Sequence, residues 1–386
     1  MFSRRTNWQL STNRFTHALD ELRTAGTKLL DLTVSNPTQC GFVYDQQAIL
    51  AAFQNAKALS YNPQPKGLIE ARKEVASYYL QDHHTIVDPE AIFLTTSTSE
   101  AYSFVFRLLC NPEDEVLVPK PSYPLFDYLA ELQDVALVPY SLHYAQGWLV
   151  DFHSVLAGIT PRTRAILLVH PNNPTGSYWR LEEMKRLNTI CKERGIALIV
   201  DEVFLDFAFE EEKRKSFVGN KEVLTFTLSG LSKIAALPQM KVSWLACTGP
   251  EAMVKSGVAR LEIIADTYLS LNAPTQWAIP TLFEQRRSLQ KQLLERVRAN
   301  RAELRRQMAD KSDCEMLEGE GGWYGVLRVP ANRGDEDRVI ELMQKQQVIV
   351  HPGHFFDFNG DGFLVVSLIT PLGEFAEGLK RLLGFL

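Results

Sequence analysis

The feature that most restricts the fold of this chain is an alternation through its middle, where short branched apolar runs are followed by segments of helical periodicity. Ala91–Leu94, Glu115–Val118, Ala165–Val169 and Ala197–Val200 are too short for helices and read as buried strands. Between them, Glu100–Leu109 and Leu181–Arg194 read as helices. The second ends on basic residues followed by Gly195, a helix stop. Such alternation predicts an α/β fold, a three-layer α/β/α arrangement around a mainly parallel sheet covered on both faces. Ligands of such sheets bind outside the carboxyl ends of the strands. Residues just beyond each run are therefore the ones to examine for chemistry.

After about Pro274 the pattern changes. A long charged amphipathic helix is expected over roughly Pro280–Asp310, then strand-like runs at Trp323–Val329, Val348–Val350 and Phe363–Leu368, and a closing helix from near Glu374. This reads as a smaller α/β domain with which the poorly periodic N-terminal segment packs. The expected division is a large domain over 45–274 and a small one made of 1–44 and 275–386. A chain of 386 residues is long enough for two such packed domains.

Composition excludes several functions. The net charge of −5 arises from mixed signs, and the most basic stretch, Arg286–Arg306, has the spacing of a solvated helix face, so no nucleic-acid footprint is read. The five cysteines are scattered without a CxxC pair, which disfavours a disulfide framework and a zinc site and reads each as a small apolar residue. No apolar run is long enough to cross a bilayer, and the N-terminus lacks a signal core, so a cytoplasmic location is the default expectation.

Three placements carry chemistry. Asp201 and Glu202 follow the run Ile196–Val200; His170-Pro171-Asn172-Asn173-Pro174-Thr175-Gly176 follows another strand; Lys233 lies in Ser229-Gly230-Leu231-Ser232-Lys233, after Val223–Leu228. Singly they are a loop acid, a tight turn and an exposed lysine. Together they supply what an aldehyde cofactor needs: an amine for a Schiff base, an acid opposite a pyridine nitrogen, and an amide donor for a phenolic oxygen.

The order NPTG, DEV, SxxxK resembles the class I/II aminotransferases, the fold type I pyridoxal-phosphate enzymes similar to aspartate aminotransferase. The resemblance runs along nearly the whole chain, through the Tyr61-to-Gly67 turn, Thr95-Thr96-Ser97-Thr98-Ser99-Glu100, Pro121-Ser122-Tyr123-Pro124, Gly321-Gly322 and Pro352-Gly353. It implies pyridoxal 5′-phosphate as cofactor, with Lys233 as the Schiff-base lysine and proton carrier, and Ser232 beside it. It further implies Asp201 on the pyridinium nitrogen, Asn173 on the phenolic oxygen and Tyr123 against the ring. Thr98 and Ser99, at a helix start, would hold the phosphate. Tyr61 would reach the partner's phosphate in a homodimer with shared active sites. The substrates implied are a small-molecule amino donor and a keto or aldehyde acceptor.

Three departures from the family pattern bear on function. Lys241 stands eight residues after Lys233 in place of an arginine at the phosphate, which keeps the charge and loses the bidentate fork. Phe204 replaces a tyrosine that donates to the phenolic oxygen, removing one donor. Val365 stands where the family places the arginine that grips the substrate carboxylate, and Phe363–Thr370 contains no basic residue. His351, His354, Lys66 and Arg328 are the candidates to replace it. Trp323 and Tyr324 fall where the family lines its substrate pocket. Transamination is the leading expectation; a decarboxylase or lyase on the same lysine, or a cofactor-binding protein without turnover, are the alternatives.

Overall fold

A computed structural model describes residues 1–123, 126–269 and 271–386. After a two-residue strand β1 (Leu30–Asp31) the chain builds an eight-stranded sheet from β2 (Ile92–Thr95), β3 (Glu115–Lys120), β4 (Ala136–Tyr144), β5 (Trp148–Val150), β6 (Thr163–Val169), β7 (Ala197–Asp201), β8 (Thr225–Gly230) and β9 (Ser243–Thr248). Their spatial order is β2-β9-β8-β7-β6-β3-β4-β5. The pairings β4–β3–β6–β7–β8 are parallel, and β9 and β5 run against their neighbours. The expected mainly parallel sheet is thus present. The central strands β7 and β8 are buried along their whole length, and β6 along all but Arg164, and so they read in the sequence as nearly unbroken apolar runs.

Every anticipated strand and helix of this layer appears, shifted by one or two residues at its ends. The helix Leu181–Arg194 stops as expected, with Gly195 in the left-handed region at φ +65. The helix read from Glu100 begins at Thr98, with the Ser97 side chain accepting from the Glu100 amide as its N-cap.

The late part of the chain forms a four-stranded sheet, ordered β10-β11-β14-β13, from β10 (Glu315–Leu317), β11 (Tyr324–Arg328), β13 (His351–Pro352) and β14 (Phe363–Ser367). The remaining strand β12 (Val348–Ile349) pairs in parallel with β1 of the N-terminal segment. One boundary differs. The long helix is Ala273–Met308, so it begins before Pro280 and carries that proline inside it, with Asn272 as N-cap. Sequence periodicity is a poor guide there, because an interior proline ordinarily ends a helix pattern.

Candidate active site

Three neighbouring parallel strands, β6, β7 and β8, end side by side, and each delivers one of the singled-out motifs at its carboxyl end. Asp201 is the last residue of β7 and only 8% exposed. Its carboxylate accepts from the Tyr102 hydroxyl at 2.9 Å and from the Val203 amide at 3.0 Å. Burial pushes the Asp201 pKa up, while these donors and the charge of Lys233 pull against it. Glu202, its neighbour in sequence, turns the other way. It accepts from Ser216 Oγ and the Phe217 amide, each at 2.6 Å, and burial pushes it up to about 7. Of the two adjacent acids, one faces the strand end and the other is structural.

Lys233 lies in the short helix Leu231–Ile234 that follows β8. Its Nζ stands 5.6 Å from the Phe204 ring centroid and 5.3 Å from that of Trp323. Desolvation lowers the amine's pKa, and Asp201 opposes that shift. An amine held among rings is readily neutral, the state in which it acts as nucleophile or base. Ser232, beside it, is partly buried.

The loop after β6 separates its two asparagines. Asn172 serves the loop, its Oδ1 accepting from Thr175 Oγ1 at 2.9 Å and its Nδ2 donating to Ser122 Oγ at 3.4 Å. Asn173 is buried, and its side-chain oxygen has no partner among the described residues. A buried amide left unpaired is costly unless a ligand satisfies it. Gly176 is needed for contact: at φ +69, a Cβ there would lie 2.3 Å from the Gly321 carbonyl oxygen. The Gly176 carbonyl accepts from the Glu320 amide at 3.0 Å, which ties the NPTG loop to the Gly321-Gly322 turn, and Gly322 donates to the Phe207 carbonyl at 3.0 Å, which ties that turn to the segment after β7. His170 is fully used as well, accepting at Nδ1 from the Trp179 amide and donating from Nε2 to the Lys215 carbonyl.

Thr98 and Ser99 open their helix, where first-turn amides precede the intrahelical ladder and face an incoming anion. Lys241 is exposed, in the left-handed conformation at φ +53, with no side-chain bond or ion pair among the described residues. Tyr123 is 40% exposed, and burial together with the Asp201 charge pushes its hydroxyl up. The Ser122 amide before it donates to the Phe356 carbonyl at 2.9 Å, tying this loop to the small sheet. Pro124, the end of that motif, lies outside the described residues. Phe204 is buried edge-on against Trp323, with ring centroids 5.2 Å apart. Tyr61 is not gathered in: it is 85% exposed and lines a cleft of about 380 Å³ with Leu59, Pro63 and Gln276.

Tyr102 was not anticipated. It stands four residues after Thr98, on the same face of that helix, and this spacing was the available signal. Among the described residues no cluster of His, Cys, Asp or Glu suits a metal. The five thiols are all unpaired, and burial pushes Cys110, Cys191 and Cys247 up to about 12, away from nucleophilic use. A pyridoxal-phosphate cofactor fits the groups present: a desolvated amine, a buried acid, an asparagine with an unpartnered side-chain oxygen and a helix start for the phosphate.

Known proteins agree. The family model for aminotransferase class I and II matches residues 27–381. The chain is 27% identical to the glutamate-pyruvate aminotransferase AlaA of Escherichia coli over 90% of its own length and 88% of that protein. It is 25% identical to the alanine aminotransferase of Mycobacterium tuberculosis, over 95% of this chain and 87% of the other. Its fold matches a solved alanine aminotransferase from Pyrococcus furiosus with a TM-score of 0.90 at 23% identity, over 100% and 99% of the two chains. With the motifs in order, the strand ends carrying them and the match along almost the whole chain, this protein belongs to the class I and II aminotransferases, pyridoxal-phosphate-dependent enzymes of fold type I.

Proposed function

We propose that Lys233 carries the cofactor covalently and moves the proton that transamination requires. When bound, pyridoxal phosphate supplies an aldehyde that condenses with an amine and a ring that accepts the electron pair released at the substrate's Cα. Lys233 Nζ, once freed by the donor's amine, would take the Cα proton and deliver it to the cofactor's C4′, and would carry a proton in the opposite sense in the second half of the cycle. The Asp201 carboxylate keeps the ring nitrogen protonated, and Asn173 donates to the phenolic oxygen. Thr98, Ser99 and Lys241 hold the phosphate, Tyr123 covers one ring face, and Phe204 and Trp323 keep water from the amine.

The observation that carries this reading is the convergence of three groups at adjacent strand ends: an amine whose pKa burial lowers, an acid buried on hydrogen bonds, and a buried asparagine whose side-chain oxygen has no partner among the described residues. The exposed Tyr61, in an open cleft of its own chain, supports a homodimer in which it serves the partner's phosphate. The proposed domains are 45–274 and 1–44 with 275–386, and the proposed location is cytoplasmic. No helix among the described residues is long and apolar enough to cross a membrane.

The test is reduction of the yellow protein with borohydride followed by peptide mapping. The cofactor is expected on Lys233 alone. Attachment at another lysine, or none, would overturn the assignment.

A further inference from the structure

Val365 meets no substrate. The small-sheet register aligns it with Leu317, Val326 and His351 in one row. It is 0% exposed, packed in a cluster with Trp148, Phe356 and Phe358. The residue of this sheet that faces the catalytic strand ends is Tyr324, the first of β11, which is partly exposed. Its ring stands 6.3 Å from that of Phe204, whose ring is 5.6 Å from Lys233 Nζ. Trp323, next to it in sequence, lies 5.3 Å from the same nitrogen. Tyr123 is close enough to act on the Tyr324 hydroxyl through its charge, and Asp201 acts on Tyr123 in the same way.

Strand register brings a second hydroxyl to this place. Tyr324 is directly opposed by Ser367 of β14. Ser367 donates from its hydroxyl to the Val34 carbonyl at 2.6 Å and from its amide to the Leu32 carbonyl at 2.7 Å. These two bonds clamp the N-terminal segment along β14 and set the next residue, Ser35, beside Tyr324. Burial pushes the Tyr324 hydroxyl up to about 12, and a hydrogen bond with the Ser35 side chain pulls against that shift. Ser35 is exposed, so its hydroxyl is open to a ligand. Both groups have protons that rotate about the C–O bond, and both can turn them toward one anionic acceptor. A hydrogen bond to a charged acceptor is about twice as strong as one between neutral groups.

The four residues considered as replacements for an arginine are otherwise placed. Lys66 is held by Glu90 at 2.7 Å and Glu262 at 3.6 Å. Arg328 lies at the opposite end of β11 from Tyr324, on Glu315 at 3.0 Å. His354 is exposed, edge-on to Phe355. His351 packs against Phe355 and Phe356, and burial lowers its pKa to about 4, so its ring is neutral at pH 7.

Resting on the cofactor reading above, we propose that the hydroxyls of Tyr324 and Ser35 receive the α-carboxylate of the amino acid donor and are the residues that determine specificity for it. The carboxylate is then held by hydrogen bonds from neutral groups on two segments that β14 fixes side by side.

The experiment adds alanine, glutamate, aspartate and leucine to the holoenzyme, follows its visible band, and takes the amino acid that reacts best. Tyr324→Phe and Ser35→Ala are each expected to raise KM for that donor at least about tenfold, with kcat changed by less than about threefold. The visible band without donor and the thermal midpoint of the holoenzyme should stay in place, which separates lost binding from lost structure. The Kd of 2-methylalanine, an amino acid with no Cα–H to lose, should rise by a similar factor when titrated through the same band. Unchanged KM and Kd in both variants overturn the proposal, and a change in one variant alone rejects the other residue's share. A fall in kcat at constant KM overturns it too, since the hydroxyls would then act in the chemistry and not in binding. So does the absence of a response to every amino acid. The borohydride link to Lys233 is read without any donor, so a failure of the cofactor reading is told apart from a failure of this one.

Discussion

The carboxyl edge of the large sheet and the inner face of the small one are built on opposite chemistry. The first is polar and largely paired: Asp201 sits on Tyr102 and the Val203 amide and Asn172 on Thr175 and Ser122, while the Asn173 side-chain oxygen is left open among the described residues. The second is apolar and uncharged, the row Leu317–Val326–Val365–His351 beneath Tyr324, with its polar nitrogens unpaired. Two histidines, His170 buried and His351 partly buried, repeat the contrast. His170 and His351 are both pushed down to about 4 by desolvation, yet the first has both nitrogens bonded and the second has a free one. The polar edge is where a ligand can be met, whereas the apolar row is packed core that fixes the small sheet.

The largest expected effect tests the polar side. Asp201→Asn removes the acid and leaves Tyr102 and Lys233 without their charged neighbour. Removing one preorganised electrostatic group from an active site costs about 3–4 kcal/mol, so kcat/KM should fall at least about 100-fold, with faster loss of cofactor on dialysis. Unchanged kinetics would show that the two sides do not differ as described.

A smaller effect separates the two histidines. Each has a folded pKa near 4 against 6.5 when unfolded, so between those values the unfolded chain binds more protons and stability falls as pH falls. From pH 7 to 5 each should cost about 2 kcal/mol of unfolding free energy. Denaturant titrations of wild type and His351→Phe should differ in that loss by roughly one histidine's share, about 2 kcal/mol. Identical pH slopes would mean that His351 is not held neutral.

The smallest effect sharpens the account of Asp201. Tyr102→Phe deletes one of its two donors, so the carboxyl should rise further and the acid limb of the kcat/KM profile should move to higher pH, with roughly tenfold lower activity near neutrality. A profile that stays in place would reduce Tyr102 to packing.

How far the sequence carried depended on the kind of feature. The strands of the large sheet were legible because a strand covered on both faces must be apolar along its length, and the helix ending at Gly195 because its stop is local. The start of the Ala273–Met308 helix was obscured by Pro280, since the proline is accommodated by that helix's surroundings and leaves no trace in periodicity. Asp201, Asn173 and Lys233 were singled out by motif and strand end together, and the structure sets them at neighbouring strand ends. Tyr102 was not, because its partner lies 99 positions away.

The sequence by itself determined the parallel α/β layering, the family's motif order and the absence of basic residues between Phe363 and Thr370, since all of these are written in local composition and spacing. Tertiary structure alone decided that Asp201 faces the site while Glu202 does not, that Asn173 is open while Asn172 is used, and that His351 is the residue set beside Val365. Those outcomes depend on strand register and on partners distant in the chain, which are fixed only when separate segments pack against one another.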